Sequence, residues 1–232
     1  MGSDIYSSLS GANASWEQID LLSQNIANSD TVGFKKGRLT FTLEGGDQEA
    51  MAQAYTQAVN EGPDLTDGSL TNDGVPTHLA LQGEGFFVVD AGGVERLTRA
   101  GDFRLDSEGT LVNQSGHAVL GQGGPIVFEP GQNFTVDRHG RVLASDGSEL
   151  DQLRLEFADD LKQVGENLWE AGGPTREADL VSVFQGALEG SNADPAGLMI
   201  ELIEASRYFE AYQKAMQTSD EMDQKLNNTG SR

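Results

Sequence analysis

Few residues of this chain have the types and spacing that catalysis or metal binding requires. The three histidines, His78, His117 and His139, lie far apart, with no second ligand at a metal-binding spacing. We therefore expect them at surface or edge-strand positions. The stretch from Asp64 to Gly74 superficially resembles a calcium loop, but its acidic residues do not follow the D-x-[DN]-x-[DN]-G spacing. The chain has no cysteine, which excludes disulfides, a thiolate nucleophile and a cysteine-based zinc site.

The motifs of phosphate-binding and hydrolytic enzymes are also missing. The glycine pairs in "GEGFF" and "GQGGP" lack the G-x-G-x-x-G and P-loop patterns, and neither opens a predicted helix, so both are predicted turns. The nucleophile motif G-x-S-x-G is absent. A carboxylate pair for glycoside cleavage stays possible among 37 acidic residues, but nothing singles out two of them. We predict no catalytic residue, no cofactor and no metal.

Composition narrows the classes of partner. The chain has 232 residues, 29 glycines, 6 prolines and a net charge of −22. Many glycines with few prolines suit a β-rich part with tight turns. The acidic excess argues against nucleic acid and anionic membranes, since both attract clustered Lys and Arg. It fits a solvated surface, and a salt-rich habitat is an alternative.

The first residues carry neither a basic segment nor a continuous apolar run, and no run approaches the ~18 apolar residues of a membrane span. We therefore expect no cleaved secretory signal and no membrane insertion.

Apolar residues recur at helical spacing near both ends of the chain. At the N-terminal end the intervals of four and three residues predict a helix of about 24 residues. At the C-terminal end Asn192 or Asp194 can cap a second helix, and Pro195 suits its first turn. The first stripe contains Ile5, Leu9, Ala12, Trp16, Ile19, Leu22 and Ile26, and the second contains Leu198, Leu202, Ala205, Phe209, Tyr212 and Met216. Each helix needs a packing partner. The stripes either pair within one chain or meet copies in neighbouring molecules.

The first helix ends at a dense block of turn residues, "NIANSDTVGFKKG". We expect Asn28 and Gly33 to adopt left-handed or turn conformations, with Thr31 in the same turn. The isolated aromatic that follows, Phe34, is predicted to insert into an apolar pocket.

Between the two helices the pattern changes to short β-prone runs separated by glycine turns. Such spacing indicates an antiparallel sandwich or barrel-like domain. The runs are Phe86–Val89, Val94–Thr98, Phe103–Leu105, Leu111–Val112, Val119–Leu120 and Ile126–Phe128. The stretch "RLTFTL" is a predicted strand, and "DQEAMAQAYTQAVN" is a predicted short helix.

The fold class is therefore mainly β with α-helical termini. We predict four segments: residues 1–33 as an N-terminal helix and turn motif, 34–76 as an extended connector, 77–175 as the β-rich globular domain, and 176–232 as a linker and C-terminal helix.

Three blocks of the sequence, in order, resemble the bacterial flagellar axial proteins, the rod and hook proteins of the basal body. The first block is similar to an N-[IL]-A-N-x-x-T-x-G-[FY]-K signature. The second contains "LALQGEGFFVV" and "LTRAGDFRLDSEGTLVNQSGHAVLG", and the third runs from "ALEGSNADP" into "ELIEASRYFEAYQKAMQTSDEM". The matched positions are Asn25, Ala27, Asn28, Thr31, Gly33, Phe34 and Lys35, followed by Leu188, Glu189, Ser191, Asn192, Arg207 and Glu210.

This resemblance implies a structural protein that assembles with copies of itself, adjacent rod proteins and ring proteins around the rod. It implies export by the type III apparatus of the flagellum, and amphipathic terminal helices that form a coiled-coil-like core on assembly, with the β domain outside. The assembly residues would be those of the two stripes and the turn block. Among the members, the short β region is most similar to proximal rod proteins. A distal rod protein, another axial protein or a non-flagellar protein-binding β module is the alternative.

Overall fold

The computed structural model describes residues 2–44, 55–129, 131–165, 167–178 and 180–229. The chain divides into two compact units. The helical unit comprises Met1–Ala27, Gly37–Glu61 and Asp194–Arg232, and the β unit comprises Asn28–Lys36 and Gly62–Ala193. The predicted fold class is confirmed, since the chain is mainly β, the two described helices lie near its two ends, and the described strand pairs are antiparallel.

The helical unit contains helix α1, Gly2–Ala27, and helix α2, Pro195–Thr229. Asp194 caps α2 as predicted, because its carboxylate accepts hydrogen bonds from the backbone amides of Ala196 and Gly197, both at 3.2 Å. Neither helix, within the described residues, is long and apolar enough to cross a membrane.

Strands β1, Gly37–Glu44, and β2, Tyr55–Pro63, pair with one another. The first confirms the predicted strand. The short helix predicted at residues 47–60 is wrong over its second half, where β2 runs, and its first half lies outside the described residues. Tyr55, Thr56 and Val59 favour an extended backbone, and pairing with β1 supplies the hydrogen bonds that a short helix would otherwise make.

The described part of the β unit is built from seventeen short strands. They are β3 Leu70–Asn72, β4 Leu79–Gln82, β5 Phe86–Asp90, β6 Glu95–Thr98, β7 Arg104–Leu105, β8 Leu111–Val112, β9 Ala118–Gly121, β10 Gly124–Pro125, β11 Phe134–Val136, β12 Arg141–Ala144, β13 Glu149–Gln152, β14 Leu155–Phe157, β15 Leu161–Gly165, β16 Leu168–Ala171, β17 Arg176–Glu177, β18 Ser182–Gln185 and β19 Ala187–Glu189.

The largest sheet follows the order β15-β16-β6-β5-β9-β8-β7, with β10 on β9, β14 on β5 and β17 on β14. The smaller sheets are β11-β12-β13, β18-β4 and β19-β3. Strand β5 is buried on both faces: Phe87 and Val89 belong to one apolar cluster, and Phe86 and Val88 belong to another. The apolar run "FFVV" has this cause, since alternate residues of a strand point to opposite faces.

Two segments differ from the prediction. Ile126–Phe128 is not a strand: Val127 makes an isolated bridge with Thr110, while the other two side chains are buried and their backbone amides bond to neighbouring segments. Residues 176–193, predicted as linker, contribute β17–β19 to the β unit, because this stretch has buried apolar positions such as Val183. The boundaries of the four predicted segments stay a prediction.

Candidate assembly interface

The end of α1 is fixed by a buried side-chain amide. Asn25 is 2% exposed, its Oδ1 accepts a hydrogen bond from the Gly37 amide at 3.0 Å, and its Nδ2 donates to the Gly37 carbonyl at 3.1 Å. The Asn25 side chain therefore makes the two hydrogen bonds that a neighbouring strand would otherwise make with the backbone of Gly37, the first residue of β1. A buried amide satisfied at both ends holds one geometry, because losing either bond leaves a polar group unpaired.

The turn block that follows adopts the predicted conformation at Gly33, whose φ of 65° lies in the left-handed region. Asn28 begins the turn by accepting hydrogen bonds from Thr31, one at its carbonyl and one at its side chain, both at 3.1 Å. The Gly33 amide donates to the Glu189 carbonyl at 2.7 Å, and a Cβ atom at Gly33 would collide with the Arg99 backbone. Phe34 is 2% exposed, as its predicted insertion requires.

Three fully buried charged side chains lie beside this turn, and we call Lys35, Arg99 and Glu189 the charged junction. The Lys35 Nζ is 2.6 Å from Glu189 Oε1, and a guanidinium nitrogen of Arg99 is 3.2 Å from Glu189 Oε2. The Gly68 amide also donates to Glu189, at 3.0 Å. One carboxylate therefore serves two cations that come from distant parts of the sequence.

Further hydrogen bonds reach the Lys35 ammonium and the two terminal nitrogens of Arg99, whereas the buried Arg99 Nε has no hydrogen-bond partner among the described residues. The Lys35 Nζ donates to the Thr66 carbonyl at 2.6 Å. Arg99 donates to the carbonyls of Leu81 and Gly83. Burial lowers the pKa of Lys35, and the Glu189 charge opposes that effect. Burial likewise lowers the pKa of Arg99, again opposed first by Glu189. Each cation is therefore held in its buried position by the same carboxylate.

Asn192 makes a second connection between the same two regions of the chain. Its Oδ1 accepts a hydrogen bond from the Lys36 amide at 2.8 Å, and its Nδ2 donates to the Asp64 carbonyl at 2.8 Å. The charged junction was not among the predicted site residues. The available signal was the presence of Lys35 and Glu189 among the matched positions of the sequence blocks.

In the helical unit, α1 and α2 pack against each other in opposite directions. Tyr212 lies over Gly11, where a Cβ atom would come within 2.6 Å of its ring. Ser8, before Gly11, lines the same groove as Met222, which follows Tyr212. The face of α1 that is buried consists mainly of small residues: Gly11, Ala12, Ala14, Ser15, Leu22 and Asn25. Small residues allow a close approach of two helices.

The predicted stripes divide between this packed face and the surface. Leu22 and Leu198 are buried, whereas Leu9 and Trp16 are 45% and 58% exposed. The half-buried members are Ile19, Ile26, Leu202, Phe209, Tyr212 and Met216, and the side chain of Ile5 lies outside the described residues. The apolar stripe predicted on α1 therefore does not form one packed face. Small residues of α1, and not Leu9 and Trp16, make the contact with α2.

Helix α2 carries a second apolar surface that the periodic pattern did not reveal. Met199, Ile200, Ile203 and Tyr208 are each more than half exposed. We call Met199, Ile200 and Ile203, which lie within about 100° of one another around the helix axis, the outer face of α2, whereas Tyr208 lies about 140° away from Ile203. Because Leu198 and Ala205 of the same helix are buried, the exposed residues lie on a different side from the intramolecular contact.

The described residues provide little for metal chemistry. Within those ranges, no three His, Asp or Glu side chains are grouped so that they could hold a metal ion. The His78 ring nitrogen Nδ1 lies 2.6 Å from Asp73 Oδ2 in a partly exposed pair.

Three family models match the chain in order. Residues 5–35 match the flagella basal body rod protein, residues 80–144 match the flagellar hook protein FlgE/F/G D1 domain, and residues 185–229 match the flagellar basal body rod FlgEFG protein C-terminal region. Each member of the charged junction lies in a different one of these regions.

The chain is similar to several known proteins over almost its whole length. The flagellar basal-body rod protein FlgG of Bacillus subtilis is 31% identical, with 97% of each chain covered. The flagellar basal-body rod protein FlgF of Caulobacter vibrioides is 32% identical, with 96% of this chain and 95% of the relative covered. The FlgF protein of Salmonella typhimurium is 28% identical, with 96% of each covered. With identity at this level over nearly the full length, the chain belongs to the flagellar basal-body rod protein family.

Proposed function

We propose that this chain is a structural subunit of the flagellar basal-body rod, and that it polymerises through its terminal helices. The observation that supports this most directly is the outer face of α2, where large apolar side chains remain exposed although the helix already has a partner in its own chain. This face lies within the region that matches the rod C-terminal model.

The energetics favour a partner for this surface. Removing one such side chain from water is worth roughly 1.5–3 kcal/mol, so several together can stabilise a contact between subunits. Soluble monomers rarely expose large contiguous apolar patches without a use for them. The predicted stripe residues on α2, from Leu198 to Met216, then hold the helical pair together, while the outer face is available to neighbouring copies.

The finer assignments are parts of the same proposal. The subunit would contact neighbouring rod proteins and the surrounding rings, transmit torque in motility, and perform no catalysis. It would reach the flagellum by type III export. The relatives carry two different names at nearly equal identity, and a place in the proximal rod stays our prediction from the short β region.

The acidic surface adds a constraint on when polymerisation occurs. With a net charge of −22, free subunits repel one another. At 0.1 M salt this repulsion is largely screened beyond a distance of about 10 Å. Polymerisation of purified subunits, followed by light scattering, should therefore accelerate as salt is raised. A rate that does not change with salt would remove charge as the restraint.

The decisive experiment compares two exposed apolar residues. Ile203→Asp changes the outer face of α2, whereas Leu180→Asp changes a residue of the β unit that is 92% exposed. Neither residue is buried, so both variants should fold with unchanged circular dichroism. In cells lacking the native chain, we expect Ile203→Asp to abolish swimming and rod assembly, and Leu180→Asp to preserve both.

Equal motility of the two variants would contradict assembly through the helices. Loss of motility in Leu180→Asp alone would instead favour a protein-binding role for the β unit.

A further inference from the structure

A groove runs along the surface of the helical unit between α1 and α2. Its volume is about 580 Å³, and it is lined by Ser8 of α1 together with Ala211, Lys214, Ala215, Met216 and Met222 of α2. Apart from the two methionines and Lys214, its lining consists of small side chains, which include Thr218 and Ser219, and Lys214 is the charged residue among them. The groove therefore suits a large apolar side chain that is accompanied by a carboxylate.

The opposite features occur on the exposed side of α1. Leu9, Asn13, Trp16 and Asp20 follow one another at intervals of four, three and four residues, and all four are exposed, as is Glu17. We call these five residues the α1 ridge. Helix α1 contains no Lys or Arg, so the ridge presents an aromatic side chain whose charged neighbours are all negative.

We propose that the α1 ridge of one copy docks into the α1–α2 groove of the next copy, with Trp16 seated on Ala211 and Ala215. This inference rests on the proposed assembly function and names the surfaces that carry it. Glu17 or Asp20 of one copy then meets Lys214 of its neighbour. Tryptophan in a pocket of small residues, surrounded by polar groups, is typical of the residues that dominate binding energy at interfaces.

The pairing also explains how a filament can grow. The ridge and the groove are different surfaces of one molecule, so each copy that docks leaves a free groove at one end and a free ridge at the other. Such a heterologous contact forms an open helical polymer unless its rotation closes a ring. A contact between two identical surfaces would stop at a dimer.

Cysteine cross-linking can test this pairing without background, because the natural chain contains no cysteine. Two single-cysteine chains, Asn13→Cys on the ridge and Thr218→Cys in the groove lining, are expressed together in cells lacking the native chain, and both keep Trp16 and the alanines that it would touch. Each carries a different epitope tag inserted at the exposed Gly92–Gly93 turn of the β unit. Isolated basal bodies are oxidised and blotted for both tags. Every product that contains both tags joins two copies.

We expect a two-tag dimer as the main product of this mixture. Leu180→Cys, at an exposed position of the β unit, replaces Asn13→Cys as the control, and it should give little two-tag product. Basal bodies that contain both chains but yield no two-tag dimer, or as much with Leu180→Cys, would overturn the ridge–groove pairing while leaving the rod function intact. Chains absent from basal bodies would contradict the rod function itself and, with it, this inference.

A charge exchange gives a second measurement on purified subunits. Lys214→Glu should raise the concentration needed for polymerisation by about fivefold, since it turns an attraction into a repulsion. Adding Glu17→Lys and Asp20→Lys to the same chain should restore most of that loss. Failure of the combined variant to recover, with circular dichroism unchanged, would contradict the proposed charge contact.

Discussion

The β unit encloses two cations and a carboxylate without exposing any of them, whereas the helical unit leaves a tryptophan and two isoleucines largely in water. Both arrangements cost free energy when no partner is present. In the β unit, Glu189 and the surrounding carbonyls of the same chain provide that partner. In the helical unit, neighbouring copies provide it under our proposal. The β unit thus satisfies its buried charges with groups of its own chain, whereas the exposed apolar side chains of the helical unit need contacts with other copies.

The largest effect should come from removing the carboxylate of the charged junction. Glu189→Ala leaves the buried Lys35 without an ion pair and leaves Arg99 only its 3.8 Å contact with Asp67, and breaking such a buried network typically costs about 3–5 kcal/mol of the free energy of unfolding. Urea unfolding can be followed by fluorescence of the buried Trp169 in a Trp16→Phe background. Glu177→Ala, at an exposed position of β17, serves as the control and should change the free energy by less than about 0.5 kcal/mol. Similar values for the two variants would break the comparison, because the β unit would then not depend on its buried charges.

Gly33→Ala should have the next largest effect. The added methyl group meets the backbone of Arg99, and the residue must also keep a positive φ, so we expect a loss of about 2–4 kcal/mol in the same urea experiment. Gly92→Ala is the matched control: its φ is 73°, but nothing lies within 4 Å of the added atom. It should cost only about 1 kcal/mol. Equal losses would mean that the close approach to Arg99 contributes nothing.

A smaller effect is expected where the two helices touch. Gly11→Ala improves helix propensity by about 1 kcal/mol but pushes the Tyr212 ring away, at a cost of about 1–3 kcal/mol. The net result should be faster amide exchange in α1 of the monomer. In a Tyr212→Ala background the same change should slow exchange instead. If Gly11→Ala protects α1 in both backgrounds, the ring contact does not set the spacing of the helices.

The smallest effect concerns acid stability of a surface turn in the β unit. Hydrogen bonds from the backbone amide of Thr110, and then from that of Glu108, hold the pKa of Asp106 below its ordinary 3.8. The charged form therefore stabilises the fold above that pH, and the stabilisation is lost as pH falls through the lowered pKa. Asp106→Asn should flatten the decrease in unfolding free energy between neutral pH and acid. A profile with the same slope as the natural chain would contradict this assignment.

Much of the fold followed from the sequence because the signals were periodic. The intervals of three and four residues predicted both helices, and glycine-bearing turns indicated the antiparallel strands around β5. The start of α2 was predicted from Pro195 and a cap at Asn192 or Asp194, and the structure has Asp194 as the cap. A left-handed or turn conformation was predicted for Gly33 because it stands in a dense group of turn residues, and its φ of 65° is left-handed. These features are local, so neighbouring residues suffice to predict them.

The remaining features depend on residues far apart in the chain. Lys35, Arg99 and Glu189 have charged side chains, and single charged residues in a sequence usually indicate solvent exposure. The contact face of α1 was missed because Gly11, Ala14 and Ser15 carry no apolar signal, although their small size is what brings α2 close. For the same reason the exposure of Trp16 could not be predicted from its position in the stripe.

The Lys35–Glu189 contact joins residues separated by 154 positions. Closing so long a loop is entropically unfavourable and slow, and the contact cannot form while Glu189 is still absent. For a chain that emerges with its N-terminus first, the buried charges of the β unit are therefore paired only after everything before α2 has arrived. Until then Lys35 stays hydrated and the N-terminal segments lack their carboxylate partner. The long sequence separation therefore delays completion of the β unit until almost all of the chain before α2 has emerged.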